Sequence, residues 1–170
     1  MSETREKIDQ AVKAMVNREG KYLTFTLAEE EYGIGILKVK EIIGMMAITT
    51  VPQTPEYMKG VINLRGKVIP VIDLRLKFAM EAIGYTERTC IIVVEITGNN
   101  KKIQMGGLVD SVSEVLNIKA SDIEDTPNFG SHLNTDYILG MAKTGGKVKI
   151  LLDIDKVLTV TEVADLSAAA

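Results

Sequence analysis

Polar and apolar residues alternate through most of this chain, which is the signature of half-buried β-strands. Lys21–Leu27 places Leu23, Phe25 and Leu27 on one face. Ala28–Glu31 then turns the chain, and Tyr32, Ile34 and Ile36 carry the alternation into a returning strand. Gly33 and Gly35 mark a bend or a close backbone approach there. Leu37–Lys40 interrupts the pattern before Glu41–Ile48 resumes it. A second series starts at Thr89–Ile96, turns at Gly98-Asn99-Asn100 and returns antiparallel as Lys101–Val109. The N-terminus differs: Ile8, Ala11, Val12, Met15 and Val16 recur at helical spacing over residues 5–19, and Gly20 stops the pattern. Such a helix can pack on the body, meet a partner helix or remain a frayed arm.

The stretch Tyr57–Phe78, YMKGVINLRGKVIPVIDLRLKF, reads as a short helical turn, a strand, a tight turn at Arg65-Gly66, a second strand and a helical cap. Thr54 suits an N-cap and Pro55 the first helical position. Pro70 removes one ladder donor and predicts a free edge or bulge. The same frame returns at Tyr137–Leu158, YILGMAKTGGKVKILLDIDKVL. Tyr57, Gly60, Gly66, Lys67, Val68 and Asp73 meet Tyr137, Gly140, Gly146, Lys147, Val148 and Asp153 without a gap. Average residue usage would give about one identity over such a span. Val39, Glu41, Ile42 and Ile43 likewise meet Val112, Glu114, Val115 and Leu116. An internal duplication follows. Asn63-Leu64-Arg65 faces Lys143-Thr144-Gly145 across the repeat, so the turn does not by itself demand an arginine. Arg65 is then either a recognition residue or a solvated turn residue.

Five short strands per half suit a small closed barrel, which leaves no exposed sheet edge. The predicted fold is all-β: two five-stranded barrels sharing a core, the first mainly over 22–80 and the second mainly over 89–153, either separate or interleaved at the termini. Residues 1–19 form the N-terminal helix or arm, 20–160 the body and 161–170 a disordered tail. Ser121–Glu124 has the form of a capping box and predicts a short helix, and a final helix starts near Lys156.

Composition narrows the function. A chain of 170 residues with 46% hydrophobic and 25% charged residues is ordinary globular material. The formal net charge of −3 and the absence of tryptophan give no basic or base-stacking surface for nucleic acid. Cys90 is the single cysteine and reads as a buried strand residue in a reducing compartment. No apolar run is long enough to span a membrane, and the polar N-terminus lacks a secretory core; a cytoplasmic protein is expected. His132 has no second histidine with which to share a metal. No nucleophile elbow, phosphate loop or dinucleotide fingerprint occurs. Asp153-Ile154-Asp155 lacks the spacing of a calcium loop and suits a helix N-cap. Neither enzyme nor cofactor is expected, and binding at the seam between two related units remains. Glu41 and Arg65 are either a charge pair beside that seam or two unrelated surface charges.

The segments EYGIGILKVKEIIG (Glu31–Gly44), PEYMKGVINLRGKVIPVIDLRLKF (Pro55–Phe78) and KVKILLDIDKVL (Lys147–Leu158) resemble the CheW family of chemotaxis coupling proteins. The resemblance spans about residues 20–160. It implies a non-enzymatic adaptor of two SH3-like barrels. Its partners would be the regulatory domain of the CheA histidine kinase, the cytoplasmic tips of methyl-accepting chemotaxis receptors and further CheW-like domains in rings, beneath the membrane without insertion. Residue by residue, Ile36, Val39, Glu41, Gly60 and Arg65 match positions tied to receptor and kinase contacts. Phe129 matches an aromatic kinase contact, beside a loop made acidic by Glu124 and Asp125.

Overall fold

The computed structural model describes residues 5, 18–98, 100–127 and 135–157. The expected N-terminal helix, the C-terminal tail, Phe129 and His132 lie wholly or almost wholly outside the described residues. The strands in chain order are β1 (Gly20–Leu27), β2 (Glu30–Gly35), β3 (Val39–Gly44), β4 (Met58–Leu64), β5 (Lys67–Asp73), β6 (Cys90–Gly98), β7 (Lys101–Val109), β8 (Ser111–Ile118), β9 (Ile123–Glu124), β10 (Ile138–Thr144) and β11 (Lys147–Leu152). Two one-turn helices follow the hairpins, α1 (Leu74–Lys77) after β5 and α2 (Ile154–Val157) after β11.

These strands form two sheets whose pairing crosses the midpoint of the chain. One has the order β8-β1-β2-β11-β10-β9, the other β3-β6-β7-β5-β4. The β1–β2 hairpin is thus inserted among strands of the second half, and β6–β7 among strands of the first. Each insertion is sealed by a parallel ladder, β2 on β11 and β7 on β5. Among the described residues neither sheet closes its hydrogen-bond ladder into a complete barrel. The expectation of closed barrels gives way to two open sheets, and of the two arrangements the sequence left open the interleaved one is found. Alternation told one buried face of the outer strands, but β1, β5, β6 and β7 are buried on both faces, and partner choice is nonlocal.

Burial follows the exchange. Leu23, Phe25, Leu27, Ile34, Ile72, Ile92, Val94, Ile96 and Leu152 belong to one central cluster fed by both sheets. Ile62, Ile69, Val71, Ile91, Val93 and Leu108 make a smaller cluster within the five-stranded sheet. Tyr22, Ile118, Ile123, Ala142 and Leu151 do the same in the six-stranded one. Full burial of one such aliphatic side chain stabilises by about 1.5–3 kcal/mol, so the central cluster holds the sheets together. Phe25, Tyr32, Phe78 and Tyr137 stack in succession through it, with centroids 5.9, 6.2 and 5.1 Å apart.

The two hairpins named by the sequence repeat match in detail. Asp73 caps α1 by accepting from the amides of Arg75 (2.9 Å) and Leu76 (3.4 Å). Asp153 accepts from the Asp155 amide at 3.2 Å. Each aspartate amide donates 2.8 Å to the preceding tyrosine carbonyl, Asp73 to Tyr57 and Asp153 to Tyr137. Pro70 lies one residue before the parallel pairing of β5 with β7 begins, where no ladder donor is needed. Two local expectations fail. Thr54 donates to the Val51 carbonyl at 2.9 Å instead of capping a helix, and residues 55–57 form only a turn. Ser121–Glu124 is not a capped helix either: a 3-10 turn, Ala120–Asp122, has no side-chain cap and runs into β9.

Candidate functional site

The β4–β5 turn carries the residue that the sequence repeat singled out. Arg65 has φ +52° and Gly66 φ +86°, the pair of left-handed residues that a two-residue primed turn needs. Gly145 and Gly146 adopt the same geometry at φ +56° and +77° in the β10–β11 turn. A side chain at the first of these positions costs about 1 kcal/mol relative to glycine. Arg65 thus occupies, at a conformational cost, a place where the second hairpin has glycine. The Asn63 side chain supports it, its Oδ1 accepting from the Gly66 amide at 2.8 Å.

What the arginine does is visible in its partner. Arg65 Nη2 donates to Glu41 Oε1. Glu41 lies on β3 and Arg65 leaves β4, the two edge strands of the five-stranded sheet. The ion pair therefore spans the open edge. A second link crosses the same edge, where Thr49 and Val61 exchange backbone hydrogen bonds of 2.8 and 2.9 Å. The Arg65 side chain is 71% exposed and that of Glu41 29%, so the pair remains available to an incoming group.

Gly60 belongs to the second link. A Cβ built there would stand 2.1 Å from the Thr49 carbonyl oxygen. Gly60 is buried, so it serves the site by letting the edge close. Gly140 has the same task below Ile123 and Glu124.

Ile36 and Val39 flank a 3-10 turn, Ile36–Lys38, and both pack partly against the central cluster. Between them Leu37 is 92% exposed, the most exposed large apolar side chain among the described residues. Sequence reading passed over it. The signal was the doublet Ile36-Leu37, where strict alternation breaks and one side chain must face water. Ile36, Leu37, Val39 and Glu41 thus run consecutively from an apolar turn into the charge-bridged edge.

The structure does not bring Phe129 into this description, since it lies outside the described residues. Its acidic neighbours are already engaged. Glu124 takes a hydrogen bond from Lys143 Nζ at 2.8 Å, which holds the lysine above its ordinary pKa. Asp125 pairs with Arg18 at 2.8 Å. Among the described residues no helix is long and apolar enough to cross a membrane.

An apolar turn beside a bridged sheet edge, on two interlocked sheets, defines a binding scaffold. Comparison with known proteins agrees. The CheW-like domain family matches residues 21–162, and the chain belongs to that family of non-enzymatic chemotaxis scaffolds. It is 45% identical to chemotaxis protein CheW of Klebsiella aerogenes over 143 residues, 84% of each chain. Identity to chemotaxis protein CheW of Rhizobium meliloti is 33% over 147 residues, 86% of this chain and 92% of that one. The crystal structure of scaffolding protein TtCheW from Thermoanaerobacter tengcongensis superposes with a TM-score of 0.74 at 39% identity, covering 85% of this chain and 95% of that one.

Proposed function

We propose that this protein couples the cytoplasmic tips of methyl-accepting chemotaxis receptors to the regulatory domain of the CheA histidine kinase. The observation that carries this reading is Arg65. It keeps a side chain in a left-handed turn where the second hairpin has glycine, and it aims that side chain at Glu41 beside the exposed Leu37. An apolar turn next to an oriented charge pair suits an amphipathic helix, which would bury its apolar stripe on Ile36, Leu37 and Val39 while Arg65 and Glu41 fix its register. Gly60 contributes by keeping the edge closed. Phe129 serves the kinase contact.

We also read the two sheets as copies of one SH3-like unit joined by hairpin exchange. The supports are their matching strand order, their parallel ladders, and a bulge at the same place in β4 and β10, before Gly60 and Gly140. Two related but differentiated units suit an adaptor that meets two partners, further CheW-like domains in rings and a receptor array beneath the membrane. Signal passes only if the adaptor has different affinities for two states of a partner.

Size-exclusion binding to a receptor cytoplasmic fragment and to a CheA regulatory domain tests the reading, with Arg65→Ala and Leu37→Ser beside the wild type. Both variants should keep the wild-type circular dichroism spectrum and lose most receptor binding. Wild type that joins neither partner, or folded variants that bind as wild type does, would overturn it.

A further inference from the structure

The turn that presents Leu37 has no fully buried residue; beyond the partial packing of Ile36, polar contacts hold it. The polar partners of that turn lie far away in sequence. Lys38 Nζ stands 2.7 Å from Asp155 Oδ2 and donates to Thr97 Oγ1 at 3.3 Å. Asp155 Oδ1 in turn accepts from the Thr97 amide at 2.8 Å. Three elements meet here: the turn before β3, the end of β6 and the helix α2 after the repeated hairpin. The ion pair is half-sheltered, with side chains 33% and 24% exposed.

The same arrangement recurs with its charges reversed at the other end of the repeat. Arg75 follows the capping Asp73 by two residues, as Asp155 follows Asp153. Arg75 pairs with Asp110, immediately before β8, through Nε at 2.7 Å and Nη2 at 2.5 Å. Asp110 also accepts from the Ala28 amide in the β1–β2 turn at 2.9 Å. In both places a residue of the one-turn helix, the residue entering an edge strand and a backbone amide near a hairpin turn are tied through a carboxylate. Recurrence with opposite polarity marks a built clamp instead of two chance surface pairs.

We propose that Asp155 is a positioning residue: through Lys38 and Thr97 it holds the Ile36–Lys38 turn in the conformation that presents Leu37 to the receptor helix. This deepens the functional reading above and rests on it for the partner. The chain's own amide reports the clamp independently, because the Val39 N–H donates to the Ile36 carbonyl and closes the turn.

The test is a double-mutant cycle of Lys38→Met and Asp155→Asn in the full chain. Asparagine keeps an acceptor for the Thr97 amide and puts an NH2 group in place of the charged oxygen that faces Lys38. Hydrogen exchange at the Val39 amide and affinity for a receptor cytoplasmic fragment are measured together. Each single variant should speed Val39 exchange and weaken binding about fivefold, equivalent to about 1 kcal/mol. The double variant should be no worse than either single one, because the two groups act as one unit. Unchanged exchange in Asp155→Asn, or additive losses in the cycle, would overturn the clamp. Faster exchange with unchanged binding would show that the clamp exists but does not serve receptor docking, which also overturns the proposal. Wild type that fails to bind the fragment sinks the functional reading, while exchange and its additivity still decide the clamp.

Discussion

Substituting Gly60 by alanine tests how the open edge of the five-stranded sheet is closed. The new methyl group would stand 2.1 Å from the Thr49 oxygen, 2.7 Å from its carbonyl carbon and 2.8 Å from Ile48 Cγ2. Two of these are backbone atoms, which cannot swing aside as a side-chain terminus can. Relief requires residues 48–49 to lift off β4, which breaks both Thr49–Val61 hydrogen bonds. Each bond is worth about 1 kcal/mol, and φ of +147° at Gly60 adds about 1 kcal/mol of strain for a side chain. Loosened packing of Ile48 against the small cluster around Ile62 and Ile69 adds about 1 kcal/mol more. Gly60→Ala should therefore lose about 3–5 kcal/mol. Gly140→Ala meets Ile123 Cγ2 at 2.7 Å and the Glu124 oxygen at 2.9 Å without a left-handed φ, and should lose about 2 kcal/mol. Gly66→Ala has open space around it and φ +86°, so strain alone costs about 1 kcal/mol. Urea unfolding of the three variants gives these losses from the midpoints at a common slope. A Gly60 variant within about 1 kcal/mol of wild type, or one more stable than the Gly66 variant, would refute the reasoning.

Arg65→Gly should separate stability from recognition. It relieves the left-handed strain and forfeits only an exposed ion pair, so the urea midpoint should hold or rise slightly, while on the proposed coupling role receptor binding should fall. Asp110 yields a pH signature. Burial pushes its carboxyl up, but the hydrogen bonds from Arg75 and the Ala28 amide, with the Arg75 charge, outweigh that and hold it below the ordinary value. A depressed folded pKa means the stabilisation is complete above the unfolded value near about 4 and is lost as pH falls through the folded one. Asp110→Asn should thus lose about 2 kcal/mol at neutral pH, lowering Tm by about 4–8 °C, with the gap to wild type closing below about pH 4 in thermal scans.

Much of this architecture was legible because burial on one face writes itself into alternation. Leu23, Phe25 and Leu27 show it, and so does the repeated hairpin with its capping Asp73 and Asp153. Which hairpins are exchanged was not legible, since β1 reads the same whether its neighbour is β3 or β8. One residue carried a hint. Thr24, on the apparently polar face of β1, is fully buried, and its hydroxyl donates to the Glu114 carbonyl at 2.8 Å and accepts from the Glu114 amide at 3.1 Å. A polar residue there satisfies the partner backbone where the β1–β8 register shifts. Arg65 was singled out through the asymmetry of the repeat, and its positive φ shows a side chain kept where the second hairpin has glycine. The pairing of Lys38 with Asp155 escaped notice because nothing local links them.

Hairpin exchange also bears on how an adaptor can act. Had each half closed on itself, the two units would meet only through side chains and could rotate against each other. Here each sheet has two central strands from the other half, held by antiparallel ladders on one side and parallel ladders on the other. Rotation would have to break those ladders and part the central cluster, whose strand members come from β1, β2, β4, β5, β6, β7 and β11. The Lys38–Asp155 and Arg75–Asp110 pairs tie the ends of the same seam. The shared strands and core thus tie the two sheets against relative rotation, with the Ile36–Glu41 segment packed on the same core. A partner state that alters the geometry at one face is then felt at the other as a misfit instead of being absorbed by a hinge. Such an adaptor can discriminate between partner states without chemistry of its own.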